Sequence, residues 1–454
     1  MNSIAVTLSG GGYRASLFGL GVFLYLSDIQ KYAEVTSISS VSGGSVTNAY
    51  IAQLGDTNGK NLSLWGTVGH LVRTIAHQTL WSTPRTWAYL GSLLITILAI
   101  GYLCFWFLPW TWWIRLLAFL ALLLPWGWLL RQRGAVAGRA FGAKLYSPSG
   151  RPTLLEDIAH DRDHVICATH LNAGEHFFFS GRFVYSYRFG WGVPGGLPLH
   201  TAVQASAAFP GGFPPRWLRT KRFGFPRDPD RRGSVARLVA LTDGGVYDNM
   251  ADQWPDRVEE RARQRPDLKL MVPDQLVVVN ASRGLAWSPV RSLRIPFFGE
   301  FLALLRDVDV MYDNASSLRM QSLVERFKTA GRIEGALITI EQSPFKIPTV
   351  FEAHGDAQQR QRATAALDQL GRDNEAEWTR ITELNSGVAT TLSKLGTEVS
   401  VRLLRHGYAT AMANLSVILG FPTAPVPERS EFERLANKHH DAVMKPEGLS
   451  DQPQ

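Results

Sequence analysis

The sequence predicts an α/β protein into which a transmembrane helical hairpin is inserted. Three observations lead to this prediction. Short β-branched runs alternate with longer stretches of helical periodicity, glycine-rich turns follow several of these runs, and one region is apolar for long enough to cross a bilayer twice. Because 454 residues exceed the usual size of one domain, we expect either a large domain with insertions or two domains.

The element candidates follow from these patterns in chain order. Strands are predicted at Ile4–Leu8, 165–168, 238–241 and Gln275–Asn280, and helices at 16–26, 46–54, 301–327, 363–381 and 392–415. Eight basic residues lie among prolines and glycines between 216 and 237, which predicts a loop that is either solvated or in contact with anionic headgroups. The polar tail after Pro422 is expected to be poorly ordered.

The hairpin is predicted from an uncharged run of 20 residues at 89–108, close to the ~20 residues that a helix needs to cross a ~30 Å hydrocarbon layer. Tryptophans at 110, 112 and 113 follow, and 114–130 is again apolar apart from Arg115. A buried soluble hairpin is the alternative, but tryptophans massed at the junction are typical of a membrane interface. We therefore predict that residues 89–130 form a membrane hairpin.

Basic residues flank this hairpin on both sides and predict its orientation. The flanking residues are Arg73, Arg85, Arg131, Arg133, Arg139 and Lys144. The connecting turn offers only Arg115, which lies close enough to the end to reach the interface. Because cytoplasmic loops carry an excess of Lys and Arg, both flanks are expected to face the cytoplasm.

The amino-acid composition limits the class of protein but does not identify a binding partner. Charged residues make up 19% and hydrophobic residues 45%, and the net charge of +8 is compatible with anionic membranes or nucleic acid. No motif selects nucleic acid, so no such partner is predicted. Cys104 lies in the most apolar stretch, so a disulfide with Cys167 is not indicated. The N-terminus lacks the regions of a signal peptide, and folded structure is expected to begin at once.

A glycine-rich segment, Ser9-Gly-Gly-Gly-Tyr-Arg-Ala15, lies between a strand candidate and a helix candidate. Glycines permit positive φ and close approach of a ligand, and the helix that follows contributes the positive end of its dipole. The segment is therefore predicted to hold an anion, either a phosphate or an oxyanion. It also fits a relaxed dinucleotide fingerprint, for which Asp28 is the acidic candidate, although Asp28 follows a helix instead of ending a strand.

A serine-rich block predicts a strand, a sharp turn and a helix in succession. Ser42 occupies the turn in Ser40-Val-Ser-Gly-Gly44, where a strained backbone exposes a nucleophilic hydroxyl. The expected Gly-x-Ser-x-Gly pattern has its leading glycine replaced by Ser40. Ser39, Ser40 and Ser45 are competing nucleophiles, and a Ser/Gly-rich loop without chemistry is the alternative for the whole block.

A third block is an apolar strand that ends in Asp243 and is followed directly by two glycines. Taken alone, Asp-Gly-Gly at a strand end is an ordinary turn. A serine hydroxyl, however, needs a base, and a partly desolvated carboxylate of raised pKa can take its proton directly. We therefore predict Asp243 as the base that activates Ser42.

Together these blocks resemble the patatin-like phospholipases. The glycine-rich segment resembles that family's oxyanion loop, 40–44 its serine turn, 243–245 its catalytic acid motif, and 202–215 its Ala-Ser-x-Ala-x-Pro segment. The resemblance covers about residues 1–55 and 160–250, with weaker similarity in the helical C-terminal part. The hairpin and the basic run then read as insertions.

The resemblance implies a three-layer α/β/α fold with a Ser–Asp dyad, no histidine, and no metal or other cofactor. The site residues that it implies are the nucleophile Ser42, the base Asp243 and the oxyanion-hole glycines Gly10, Gly11 and Gly12, with Arg14 and Gly43 as candidate support. Arg14 either supports the oxyanion loop, meets a phosphate headgroup or is a structural surface residue.

The predicted organisation places one patatin-like catalytic domain at 1–87 and 132–422, the membrane hairpin at 88–131 and a polar tail at 423–454. The expected protein is a membrane-anchored hydrolase on the cytoplasmic side that cleaves acyl esters of (phospho)lipids. Its oligomeric state stays open.

Three alternatives remain for the function. The first alternative is a catalytically silent lipid-binding or scaffold protein, and the second is a nucleotide-binding enzyme. The third is a Ser-His-Asp esterase that uses His354, His406, His439 or His440. No His-Glu-x-x-His or similar spacing predicts a metal site.

Overall fold

The computed structural model describes residues 3–55, 64–79, 82–107, 111–148, 150–226, 236–285, 298–329 and 333–437. At its centre is a sheet of ten strands. In chain order the strands are β1 (Ile4–Leu8), β2 (Val35–Val41), β3 (Asp163–His170), β4 (Glu175–Phe179), β5 (Val184–Ser186), β6 (Gly190–Gly192), β7 (Arg216–Arg219), β8 (Leu238–Asp243), β9 (Gln275–Asn280) and β10 (Glu334–Thr339). The order across the sheet is β10-β9-β1-β2-β3-β4-β5-β6, and β8 joins it by pairing with both β3 and β7.

Sixteen α-helices lie in the described part of the chain. They are α1 (Gly12–Asp28), α2 (Ser42–Gln53), α3 (Leu64–Thr67), α4 (Gly69–His77), α5 (Pro84–Tyr102), α6 (Trp112–Arg131), α7 (Arg133–Leu145), α8 (Leu199–Ser206), α9 (Gln253–Asp256), α10 (Val258–Gln264), α11 (Phe298–Lys328), α12 (Lys346–His354), α13 (Ala357–Leu370), α14 (Glu375–Ser386), α15 (Thr397–Leu419) and α16 (Arg429–Ala436).

The five strands β10, β9, β1, β2 and β3 are parallel, with β10 at one edge of the sheet and the other four inside it. Alternate side chains of β1 enter different cores, because successive residues of a strand point to opposite faces. Val6 and Leu8 pack in the same buried cluster as α1 and α15, whereas Ala5 packs in a second cluster with Leu323 of α11. Helices therefore cover both faces, and the predicted α/β class is confirmed.

Some predicted elements are wrong in extent. The helix predicted over 363–381 is two helices, α13 and α14, because Gly371 adopts a φ of 73° after the first. The helix predicted over 392–415 is α15, which begins only after Gly396 and continues to Leu419. Since a glycine at positive φ is a common helix boundary, both limits follow from local backbone conformation.

The basic run and the tail also differ from their predictions. The loop predicted over 216–237 begins instead with β7, which pairs antiparallel with β8, while residues 227–235 lie outside the described residues. Within the predicted tail, α16 buries Phe432 and Leu435 against the core, and the residues after Asn437 lie outside the described residues. These few apolar residues provide enough burial to fix a short amphipathic helix.

The hairpin predicted over 89–130 corresponds to α5, which continues into a π-helical turn at Leu103–Phe107, and to α6, while residues 108–110 lie outside the described residues and α7 begins after the predicted end. Two helical segments of the described chain, Pro84–Trp106 and Trp112–Leu145, are long and apolar enough to cross a membrane. Only 17% and 0% of their most apolar windows are buried within the protein. The Tyr89 hydroxyl donates to the Leu129 carbonyl at 2.9 Å, which holds the two helices side by side. The hairpin thus presents an apolar surface that the other described residues do not cover.

Candidate active site

Two strands run toward each other along one edge of β3 and bring Ser42 and Asp243 together. The strand β2 ends with Val41 opposite Cys167, and β8 ends with Asp243 opposite Ala168. Because β4 pairs with the other edge of β3, β2 and β8 occupy the same edge end to end. Residues from distant parts of the chain therefore meet where the two strands end.

Ser42 lies on a strained turn between β2 and α2. Its φ of 49° is in the left-handed region, which is uncommon for residues with a side chain. Its N–H donates to Ser206 Oγ at 2.9 Å, which holds the turn. The competing serines Ser39, Ser40 and Ser45 are at most 1% exposed, whereas Ser42 is partly exposed. Ser42 is therefore the accessible hydroxyl of the block.

A buried hydroxyl network supports this turn. Ser206 Oγ donates to a main-chain carbonyl of β3 at 2.6 Å and lies 2.9 Å from Ser45 Oγ. Ser45 Oγ donates to Ser40 Oγ at 3.0 Å, and Asn48 Nδ2 donates to the same oxygen at 2.9 Å. The hydroxyl that replaces glycine at position 40 is thus hydrogen bonded, which offsets the cost of burying it.

Asp243 combines deep burial with an incompletely satisfied carboxylate. Its Oδ1 accepts the Gly245 N–H at 2.8 Å, whereas its Oδ2 has no hydrogen-bond partner among the described residues. Burial raises the pKa of Asp243 from 3.8 to about 6, against the opposing effects of the Ser42 hydroxyl and the Gly245 N–H. The Ser42 hydroxyl is thus near enough to stabilise the carboxylate without forming a short, aligned hydrogen bond. In sites without substrate such pairs are often long and tighten on binding.

The glycine-rich segment supplies N–H groups beside Ser42. Within the described chain the N–H groups of Gly11, Gly12 and Gly43 have no hydrogen-bond acceptor. The N–H of Gly10, in contrast, donates to the Asn249 carbonyl at 3.1 Å. The prediction of three oxyanion donors therefore needs a correction: the Gly10 N–H is already used, and Gly43 offers a third unoccupied N–H.

These glycines are required because the loops approach one another closely. Gly11 and Gly12 have φ values of 134° and 62°. A Cβ added to Gly43 would overlap the main chain of Gly12, and a Cβ on Gly10 would lie 3.3 Å from Ser42 Cβ. Gly10 thus has a packing role at the nucleophile even though its N–H is occupied.

Arg14 supports the loop from inside the protein. It is 1% exposed, its Nε donates to the Ala281 carbonyl at 2.9 Å, and its guanidinium also donates to the Val388 carbonyl. Burial, followed by the charge of Arg283, lowers its pKa to about 10. The alternative of a surface position for Arg14 is therefore wrong, and burial of its side chain prevents contact with a lipid headgroup. The alternative that remains is support of the glycine-rich loop.

Two further residues at the site gave no signal in the sequence. Asn249 is 4% exposed, and its Oδ1 has no hydrogen-bond partner in the described chain. This oxygen lies close to Gly245, because a Cβ added to Gly245 would be only 2.7 Å from it. The Tyr312 hydroxyl of α11 lies 3.0 Å from that same Cβ position, and burial followed by the charge of Asp243 raises its pKa well above 10. Asn249 follows Asp243 by six positions, a spacing that sequence reasoning did not use. Tyr312 becomes a neighbour only through the fold.

The histidines of the esterase alternative lie elsewhere or outside the described residues. His406 is within 3.2 Å of Thr382 Oγ1, and burial lowers its pKa to about 4. His354 is exposed at the end of α12, and His439 and His440 are outside the described residues.

The positions of the described side chains do not support a nucleotide-binding site at Asp28 or a metal site. Asp28 accepts hydrogen bonds from Trp65 Nε1 and from the Tyr408 hydroxyl, both at 2.8 Å, so its carboxylate is engaged in packing of helices. Among the described residues no group of three or more His, Cys, Asp or Glu side chains is placed to hold a metal ion.

Comparison with known proteins gives similar solved structures at low identity. No family model and no curated protein matches the chain. Human GIVD cytosolic phospholipase A2 matches with a TM-score of 0.35 and 16% identity over 67% of this chain and 45% of that chain. Its complex with a methyl gamma-linolenyl fluorophosphonate inhibitor and terbium chloride gives 0.33 and 13%, over 63% and 45%. VipD from Legionella pneumophila gives 0.28 and 15%, over 90% and 74%. The match thus spans less than half of the human phospholipase chain.

Proposed function

We propose that this protein is a membrane-anchored serine hydrolase that cleaves acyl esters of lipids. One observation carries the proposal: a strained, accessible serine meets a buried carboxyl of raised pKa where β2 and β8 end against β3. This combination provides a nucleophile and a base without histidine. The four sequence blocks that resemble patatin-like phospholipases support the same reading, with a three-layer α/β/α fold of that type.

The mechanism starts with proton transfer from Ser42 Oγ to Asp243 as Oγ attacks the ester carbonyl. The tetrahedral intermediate carries its negative charge on the former carbonyl oxygen, for which the N–H groups of Gly11, Gly12 and Gly43 are the donors. Collapse expels the alcohol, which takes the proton from Asp243, and leaves an acyl-serine. A water molecule that gives its proton to Asp243 then attacks the acyl-serine, and the fatty acid leaves as Ser42 recovers its hydrogen.

The contact between the hairpin and the site favours a substrate that comes from the bilayer. Arg133, at the start of α7, donates from Nε to the Gly212 carbonyl at 2.9 Å. Gly212 lies in the loop that follows Ala208, whose carbonyl accepts the Asp243 N–H at 3.1 Å. Because the base of the hairpin and the dyad share this short loop, the hairpin would hold the site near acyl chains. We place the catalytic part on the cytoplasmic side, as the flanking basic residues predict.

The experiment is covalent labelling and ester hydrolysis by the purified protein in detergent. Wild type is expected to react with a fluorophosphonate probe and to hydrolyse short-chain p-nitrophenyl esters, whereas Ser42→Ala should lose both. Asp243→Asn should lose hydrolysis, because no base remains to deprotonate the serine. Ser430→Ala, at an exposed serine of α16, is the matched control and should keep full activity.

Persistence of labelling and turnover in Ser42→Ala would exclude the proposed nucleophile. Absence of turnover in the wild type, together with retained binding of lipid, would favour the silent lipid-binding alternative.

A further inference from the structure

A cavity at the base of the hairpin is lined by cations and, among the described residues, by no acidic side chain. It measures about 1030 Å³ and lies among the start of α5, the last turns of α7, the start of α8 and the segment that contains β7. The basic side chains that line it are Arg85, Arg139, Lys144, Arg216, Arg222 and His200. Such a concentration of one charge sign in a concave site raises the local electrostatic potential and attracts anions.

The cations of this cavity repel one another instead of being neutralised. Burial, then the charges of Arg139 and Arg222, lower the pKa of Arg216. Burial, then Arg216 and Arg139, lower the pKa of His200 to about 4, so this imidazole is neutral near pH 7. Arg216 and Lys144 are half-buried, whereas Arg85, Arg139 and Arg222 are exposed. A half-buried cation among like charges is unfavourable unless a counter-charge approaches it. Among the described residues, no acidic side chain that lines the cavity supplies this counter-charge.

Several polar atoms at the site are also without partners in the described chain. They are Arg216 Nε, His200 Nδ1 and both amide atoms of Gln204. Gln204 is only 1% exposed, and it lines an adjoining cavity of about 720 Å³ to which Arg139 and Arg216 also contribute. Buried polar groups normally have hydrogen-bond partners, so these orphaned atoms indicate a polar ligand.

The close packing of α7 on α8 creates this arrangement. Gly134, Gly138 and Gly142 share one face of α7, since they are four residues apart. A Cβ on Gly142 would lie 2.7 Å from His200 Nδ1, and a Cβ on Gly138 would lie 3.2 Å from Gln204 Cβ. The glycines therefore let α8 approach until its polar side chains reach the cations of α7 and β7.

The position of the cavity matches the headgroup layer of a bilayer. It opens where α5 begins at Pro84, and the adjoining cavity of about 720 Å³ opens where α6 passes into α7. Trp87 and Trp128 are 66% and 61% exposed at this end of the hairpin, as expected for side chains in the interface. Lipid phosphates lie in this same layer.

We propose that the cavity binds the phosphate group of an anionic membrane lipid, with Arg139, Arg216 and Arg222 as the charged contacts, His200 as a further hydrogen-bonding group, and Gln204 contributing from the adjoining cavity. Guanidinium groups bind phosphate through paired hydrogen bonds and keep their charge. Free phosphate compounds share this chemistry, but the position at the membrane end favours a lipid. The proposal does not depend on catalysis by Ser42.

The test is equilibrium binding by microscale thermophoresis with full-length protein in detergent. The probe is dioctyl-ether phosphatidic acid, which carries a phosphate monoester and has no acyl ester to be hydrolysed. The ether analogue of phosphatidylcholine serves as the zwitterionic comparison. Arg216→Gln and Arg139→Gln should each weaken phosphatidic acid binding by about tenfold or more, because each removes a charged hydrogen bond. Arg380→Gln is the matched control: it removes the same charge from an exposed position of α14, outside this cavity and those that adjoin it.

Thermal unfolding without lipid separates binding from folding. Arg216→Gln should unfold at the same temperature as wild type or at a higher one, because it removes one of several cations that repel one another. Loss of an arginine with a purely structural role would instead lower the unfolding temperature. Equal weakening by Arg380→Gln, or equal affinity for the two ether lipids, would overturn the proposal. Competition by inorganic phosphate at similar concentration would overturn the lipid source and leave a free phosphate compound as the ligand.

Discussion

The serine turn and the apolar hairpin both contain glycines, yet the surroundings of these glycines are opposite. At the turn, the protein backbone fills the space beside Gly43, whereas Gly91 and Gly101 of the hairpin have nothing within 4 Å of an added Cβ. Leu8, next to the glycine-rich segment, is 1% exposed, but Leu124 of the hairpin is 77% exposed. The two regions therefore differ in what surrounds them: protein backbone lies against the serine turn, whereas the described residues leave the apolar surface of the hairpin uncovered, and we propose that this surface contacts the membrane.

The largest difference between the serine turn and the hairpin is expected when one methyl group is added in each region. Gly43→Ala should abolish ester hydrolysis and lower the free energy of unfolding by more than about 3 kcal/mol, because the new Cβ overlaps the Gly12 backbone. Gly91→Ala should have no such effect and, as a helix-favouring change in open space, should leave activity unchanged. Esterase assays and thermal unfolding of the two variants measure the difference. Equal tolerance at both positions would refute the packing of the turn.

A charge placed on an exposed leucine distinguishes lipid from water around each region. Leu124→Arg should disfavour insertion by roughly 2.5–3.5 kcal/mol and shift protein out of the membrane fraction. Leu171→Arg, at a leucine that is 47% exposed in the turn after β3, should have no effect on fractionation. Alkaline extraction of membranes followed by immunoblotting measures both. Unchanged extraction of the Leu124 variant would argue that the hairpin lies in water.

The buried carboxyl of Asp243, beside the serine turn, should make the free energy of unfolding and the rate of hydrolysis respond oppositely to pH. A raised pKa means that folded Asp243 holds its proton more tightly than the unfolded chain does. Its contribution to stability is therefore full below the unfolded pKa of 3.8 and is lost as pH rises through about 6. Hydrolysis should rise over the same window because the base must be ionised.

The matched variant for this prediction is Asp243→Asn. It should be inactive yet more stable than wild type at about pH 8, by up to about 3 kcal/mol, with the difference vanishing near pH 4. Thermal unfolding across this range measures it, and a difference that grows toward acid pH would contradict the raised pKa.

The smallest effect is expected from the hydroxyl network that supports the turn. Ser206→Ala leaves the Ser42 N–H without its acceptor and should cost about 1–3 kcal/mol of stability. Because the turn also positions the nucleophile, kcat should fall by about tenfold while KM changes little. Ser430→Ala on the exposed surface is the control. A Ser206 variant with unchanged kcat would show that the strained turn is held by other contacts.

Much of the site was readable from the sequence because its requirements are local. A strand followed by Ser-Gly-Gly predicts a turn at Ser42, and the structure has Ser42 in the left-handed region there. The ends of β8 and of β1 were likewise predicted at positions where an apolar run gives way to glycine. The hydrogen-bonding state of the loop was not readable, because the acceptor that occupies the Gly10 N–H comes from Asn249, far along the chain.

The sequence by itself determined the α/β class, the position of the strained serine and the apolar segments of the hairpin, since periodicity, turn chemistry and hydropathy act over short distances. Only the tertiary structure decided that β2 and β8 share one edge of β3 and so join Ser42 to Asp243. It likewise turned Arg14 inward and assembled the cations of α7 and β7 into one cavity. These outcomes depend on which distant segments pack together, and that choice is made by the burial of the whole chain.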